Sequence, residues 1–143
     1  MKRYMLWATL ALAAIALVLT PTAATAQGTF TATFSGSAFP VAKDGAYYVY
    51  ELTGSATHLG PSTDVIHRKA TGKEVVGFAT ITGASGDSLF IESTGTVNGT
   101  ETDAVFKIVG GTGRFASASG GGTSVAVVDA GIVTITMEGT ISF

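Results

Sequence analysis

Apolar and polar residues alternate along the C-terminal segment of the chain, with the two-residue period of a half-buried β-strand. Every apolar residue of that alternation falls on one face, and threonines and a glutamate fall on the other. The apolar face holds Val133, Ile135, Met137, Ile141 and Phe143. A segment near the start behaves in the same way, with Phe30, Ala32 and Phe34 opposite threonines. We predict that these two segments are the strands that close the sheet.

Six further segments between them are rich in β-branched and aromatic residues and are bounded by Gly, Asn, Asp or Pro, as strands are. They are Ala46–Gly54, Asp64–His67, Glu74–Thr82, Ser88–Val97, Asp103–Val109 and Ser124–Asp129. Helix is expected only as one turn around Arg114–Ala118. The sequence therefore predicts an all-β fold. We favour an eight-stranded antiparallel up-and-down barrel over a sandwich, because closure leaves no exposed strand edges.

The first 26 residues have the order of an export signal: Lys2 and Arg3, an apolar run from Tyr4 to Leu19, and small residues ending in Ala-Thr-Ala at Ala26. This order predicts a cleavable signal peptide over residues 1–26 and one barrel domain over residues 27–143. The protein is accordingly expected to be secreted or periplasmic. No later segment is apolar for long enough to span a bilayer as a helix, so no transmembrane segment is expected after signal removal.

The charge and the cysteine content of the chain limit which partners and stabilising bonds it can have. Signal removal takes away two basic residues, which lowers Lys plus Arg from 8 to 6 against 10 acids. A mildly acidic domain is a poor partner for phosphate backbones, so no nucleic-acid partner is expected. The chain has no cysteine, and its fold must be stabilised by the core and the sheet alone.

The segment Gly111–Ala116 matches the spacing of a dinucleotide-binding fingerprint, and it follows a predicted strand. That fingerprint requires a following helix to receive the pyrophosphate, whereas residues 117–123 are mostly Ser and Gly. We interpret Gly110, Gly111, Gly113, Arg114 and Phe115 instead as a structural turn, with Phe115 as an apolar plug. No cofactor is expected.

At this turn the chain resembles the allene oxide cyclase and dirigent barrels and their small secreted bacterial relatives. The similar residues are Gly110–Phe115 with Ala118 and Gly120, then Gly54–Gly60, Gly86–Phe90 and Glu138–Phe143. The resemblance implies an eight-stranded barrel with a central, partly apolar cavity, and assembly into homo-oligomers. It does not supply catalytic residues, because the matching stretch is a turn.

Four residues are candidates for binding a ligand. Tyr48 and Tyr50 belong to an aromatic cluster that suits a pocket lining, although aromatic residues in strands are more commonly ordinary packing. Glu51 and Glu74 lie in strands whose two faces are about equally apolar, so either carboxylate is a candidate for the barrel interior. Buried carboxylates are rare without a partner.

The sequence gives little support for a metal site or a hydrolase active site. His58 and His67, with Asp64 as the only nearby acid, make a poor zinc site, so no metal is expected. The nucleophile motif Gly-x-Ser-x-Gly of hydrolases is missing. Two functions stay open: a non-enzymatic barrel that binds a small hydrophobic ligand or serves as an envelope-associated structural module, and a cyclase-like or dirigent-like enzyme. An ionisable residue inside the barrel would favour the enzyme.

Overall fold

A computed structural model describes residues 27–143; the predicted signal peptide lies outside them. Nine antiparallel strands follow one another within these residues. They are β1 (Gln27–Ser37), β2 (Ala42–Asp44), β3 (Tyr47–Ala56), β4 (Gly60–Thr71), β5 (Glu74–Gly83), β6 (Ser88–Asn98), β7 (Glu101–Gly111), β8 (Ser119–Asp129) and β9 (Ile132–Ser142). One turn of 3-10 helix, Gly113–Phe115, lies between β7 and β8.

The eight long strands form a closed barrel in which each strand from β3 to β9 pairs with the next in sequence. β1 pairs with β9 along its whole length and with β3 on its other side, which closes the sheet. The predicted all-β, eight-stranded antiparallel up-and-down barrel is confirmed, as are its first and last strands as neighbours at the closure. Only the short β2, which pairs with the start of β3, was not predicted.

One strand is much longer than the sequence indicated. β4 was predicted over Asp64–His67, but it extends over Gly60–Thr71 and pairs with both β3 and β5. Its ends carry Pro61 at one side and Arg68 and Lys69 at the other. Proline and charged residues weaken a strand prediction, whereas here pairing with both neighbouring strands stabilises the extended backbone.

The barrel has a closed end, which carries the β3–β4, β5–β6 and β7–β8 turns and the C-terminus. Large apolar side chains pack its interior to exclude solvent: Phe30, Ile81, Leu89, Ile108, Phe115 and Ile141. Phe115 is 0% exposed, and its ring meets that of Phe143 edge to face at 5.0 Å between centroids. The glycine-rich segment therefore turns the chain so that an aromatic ring covers the end of the core.

Arg114 connects the three turns of the closed end. Its Nη2 donates a hydrogen bond to the carbonyl oxygen of His58 in the β3–β4 turn. Its Nε lies 3.4 Å from the Asp87 carboxylate in the β5–β6 turn, and its guanidinium stacks 4.6 Å above the Phe115 ring. Glycine is favoured at position 113 beside this pair, because its φ is +57° and a Cβ there would displace the Asp87 carboxylate.

Candidate ligand-binding cavity

The other end of the barrel, which we call the open end, contains a cavity of about 130 Å³ between the sheet walls. It arises because the inward positions of β5 to β8 carry small side chains. These are Gly77, Ala79, Ser93, Ala104, Ser124 and Ala126. Apolar residues of β3, β6, β7 and β9 separate the cavity from the closed end: Leu52, Ile91, Phe106 and Met137. One half of the interior is therefore solid and the other half is hollow.

Asp64 lies at the base of this cavity, on the inward face of β4. Its side chain is 2% exposed, and its register partners on the adjacent strands are Leu52 and Ile81, both buried. The Asp64 Oδ1 atom is buried with no hydrogen-bond partner among the described residues. A polar atom in this position ordinarily has a partner, because an unsatisfied one costs about 1–3 kcal/mol.

Burial also changes the chemistry of the Asp64 carboxyl group. Desolvation raises the pKa of Asp64 from 3.8 to about 7, since an apolar environment disfavours the ionised form. The group is therefore poised between its neutral and charged forms near neutral pH. In its neutral form the carboxyl can both donate and accept a hydrogen bond.

Two other titratable side chains line the cavity among the described residues, and both lie toward the open end. Arg68 lies four residues beyond Asp64 on the same inward face of β4 and is half-buried. Tyr50 is half-buried on β3 and contributes an aromatic wall. Within residues 27–143, no carboxylate lies within 4.0 Å of the Arg68 side chain as an ion-pair partner. In the part of the chain that the structure describes, the cavity thus has an acid without a hydrogen-bond partner at its base and a cation at its entrance.

The four predicted binding residues separate into two groups. Tyr50 lines the cavity. Tyr48 lies nearer the open end, and its ring stacks on that of Tyr50 with 6.5 Å between the centroids. Glu51 and Glu74 are both exposed and alternate with the buried Leu52 and Val75. Neither glutamate reaches the interior, because each lies on the outward face of its strand.

Sequence reasoning considered Asp64 only as a metal ligand and missed it as the interior acid. The alternation in β4 gives no clear signal, because both faces mix polar and apolar residues. Inward positions carry Ser62, Asp64, Ile66 and Arg68, and outward positions carry Thr63, Val65, His67 and Lys69. Only the register against Leu52 and Ile81 assigns Asp64 to the interior.

The histidines lie apart from the cavity. His58 is in the turn at the closed end, where its ring contacts Phe143 at 5.0 Å between centroids, and His67 is exposed on β4. Among the described residues no group of three or more His, Asp or Glu side chains is arranged to hold a metal ion. Residues 27–143 also contain no helix that is long and apolar enough to cross a membrane.

Comparison of the chain with models of known protein families, with curated proteins and with solved structures found no match.

Proposed function

We propose that the protein is a secreted barrel that binds a small, largely apolar molecule in the hollow half of its interior. The observation that carries this proposal is Asp64, which lines the apolar cavity and whose buried Oδ1 atom has no hydrogen-bond partner among the described residues. A bound molecule with a hydrogen-bond donor would supply a partner to the Asp64 carboxyl group. Export is supported by the signal-like order of residues 1–26.

The size of the cavity is consistent with a ligand of few atoms. An engineered apolar cavity of roughly 150 Å³ stays dry and binds benzene, and the cavity here is about 130 Å³. Its lining is mostly aliphatic, with the hydroxyl-bearing residues Ser93, Thr102 and Ser124 on β6, β7 and β8. Apolar walls with a few convergent polar groups are typical of small-molecule sites.

The resemblance to allene oxide cyclase and dirigent barrels supports the same proposal. Those families place a cavity inside an eight-stranded antiparallel barrel, and this chain has both the closed barrel and the cavity. The resemblance rests on turn residues such as Gly113 and Phe115, which here belong to the closed end and not to the cavity.

Binding of 1-hexanol, followed by NMR shift changes or calorimetry, tests the proposal. We expect saturable 1:1 binding that is lost in Ala104→Leu, because the larger side chain occupies the cavity. The matched control is Val105→Leu on the next, outward-facing position of β7, which should bind like the wild type. Absence of binding, or equal loss in both variants, would contradict the proposal.

The second candidate is a cyclase-like or dirigent-like enzyme, and Asp64 is the specific observation that favours it. A carboxyl group with a pKa of about 7 in an apolar cavity is suited to general acid–base work near neutral pH. An enzyme would convert the molecule it binds, and Asp64→Asn would retain binding while abolishing conversion. A ligand recovered unchanged after prolonged incubation with the wild type would favour the binding protein.

A further inference from the structure

The polar groups of the cavity lie at its two ends. Asp64 is at the base, Arg68 is toward the entrance, and Ile66 lies between them on the same face of β4. Four residues along a strand correspond to roughly 13 Å between Cα atoms. This spacing keeps the two side chains apart: among the described residues they form no ion pair, and the Asp64 Oδ1 atom has no hydrogen-bond partner.

The two ends of the cavity favour different chemical groups on a ligand. Arg68 is permanently charged and half-buried, without an ion-pair partner among the described residues, so it favours an anion. A planar guanidinium matches a carboxylate in a bidentate geometry. The apolar stretch around Ile66, Ala79 and Ile135 favours a hydrocarbon body between the two polar groups.

Asp64 favours a neutral donor over a cation. Burial holds its carboxyl in the protonated form over most of the pH range below 7, and a hydroxyl can pair with that form by donating and accepting hydrogen bonds. An ammonium group would pair with the ionised form of the Asp64 carboxyl group. Both the ammonium and the carboxylate would then have to be desolvated in an apolar cavity, which is costly.

We propose that the ligand has a hydroxyl group at one end, which hydrogen-bonds to Asp64, and a carboxylate at the other end, which binds Arg68, with an apolar body between them. This inference rests on the proposed function, because it specifies which molecules the cavity binds. It also gives a role to the acid and the cation that share the inward face of β4.

Three probes of one carbon-chain length separate the two contacts: 6-hydroxyhexanoate, hexanoate without the hydroxyl, and 1-hexanol without the carboxylate. For the wild type we expect 6-hydroxyhexanoate to bind about tenfold more tightly than either relative, as expected when a buried group is left unpaired. The hydroxyl preference is the Kd ratio of hexanoate to 6-hydroxyhexanoate, and the carboxylate preference is that of 1-hexanol to 6-hydroxyhexanoate.

Each preference is assigned to one residue. Asp64→Leu should abolish the hydroxyl preference and keep the carboxylate preference, whereas Arg68→Gln should do the reverse. Asp64→Asn, whose neutral amide still accepts a hydrogen bond, should retain most of the hydroxyl preference. Lys69→Gln is the matched control for Arg68, since it removes a cation from the outward face of the same strand.

The outcomes distinguish the inference from the function on which it rests. If 1-hexanol binds but neither preference is seen, or if both variants weaken all three probes equally, the two-ended ligand is wrong and the binding cavity stands. If none of the three probes binds to the wild type, both proposals fail. Tighter binding of 6-aminohexanoate than of 6-hydroxyhexanoate would overturn the neutral donor at Asp64.

Discussion

The two ends of the barrel are built from the same strands but differ in what fills them. At the closed end, aromatic and aliphatic side chains such as Phe30, Leu89 and Phe115 pack to complete burial. At the open end, the same strands place alanine, serine and glycine at inward positions and leave a cavity with Asp64 at its base. The strand pairing alone therefore does not decide whether a barrel of this size is hollow, since side-chain volume does.

The two ends also draw on different segments of the chain. The glycine-rich segment Gly110–Phe115 belongs to the closed end, where Arg114 and Phe115 connect turns and cover the core. The cavity residues Asp64 and Arg68 come from β4, which contains no recognisable sequence motif. The residues that cover the core and those that line the cavity therefore lie in different parts of the sequence.

The largest expected effect is at the closed end. Phe115→Ala should lower the free energy of unfolding by about 3–5 kcal/mol, because it empties a fully buried aromatic site that its neighbours cannot fill. Chemical denaturation measures this change. The matched control is Phe39→Ala, which removes a ring that is 75% exposed. Equal stability of the two variants would show that Phe115 does not cover the core.

The second effect is a pH dependence from the open end. Below about pH 4, the Asp64 carboxyl is protonated in both the folded and the unfolded chain. Between about 4 and 7 the unfolded chain releases this proton while the folded chain keeps it, so stability falls as pH rises. The loss from Asp64 amounts to about 4 kcal/mol above pH 7, on the order of 1.4 kcal/mol for each unit of pKa difference.

Denaturation of Asp64→Asn across this range checks the sign and the size of that contribution. The variant should become increasingly stable relative to the wild type from about pH 4 to pH 7, and the difference should then level off. Asp103→Asn, which removes an exposed carboxylate from the outward face of β7, should show no such rise. A constant difference between Asp64→Asn and the wild type would contradict the buried acid.

Much of the fold was predictable from the sequence, whereas the cavity was not. Alternation in β1 and β9 is strict, so Phe30 and Ile141 assign one face to the core without ambiguity. In β4 neither face is uniformly apolar, and the inward direction of Asp64 follows only from its pairing with Leu52 and Ile81. Hollowness depends on the summed volumes of residues from several strands, which no single segment reveals.

A smaller effect compares the tolerance of the two halves to added volume. Ala32→Leu, in the packed part of the core, should destabilise the protein by about 1–3 kcal/mol through overpacking. Ala104→Leu should change stability by less than about 1 kcal/mol, because the added atoms enter the cavity. Thermal unfolding of both variants is sufficient to compare them. A greater loss in Ala104→Leu would show that the open half has no space for a ligand.

The smallest expected effect concerns the turn at Arg114. Gly113 and Gly45 share a φ of +57°, but a Cβ would meet the Asp87 carboxylate only at Gly113. Gly45→Ala should therefore cost about 1 kcal/mol from backbone strain alone. Gly113→Ala should cost somewhat more, because the Asp87 side chain must move away from Arg114. Equal costs, measured by denaturation, would mean that this ion pair contributes nothing to stability, as many exposed pairs do not.

The most direct test of a hollow half with a buried acid at its base is a carbon-13 NMR titration of the aspartate side-chain carboxyls, with and without 1-hexanol. We predict that the Asp64 carboxyl titrates with a pKa of about 7 and that 1-hexanol shifts its resonance, while the exposed Asp103 carboxyl does not respond to the alcohol. An Asp64 carboxyl that titrates near pH 4 and ignores 1-hexanol would contradict the account.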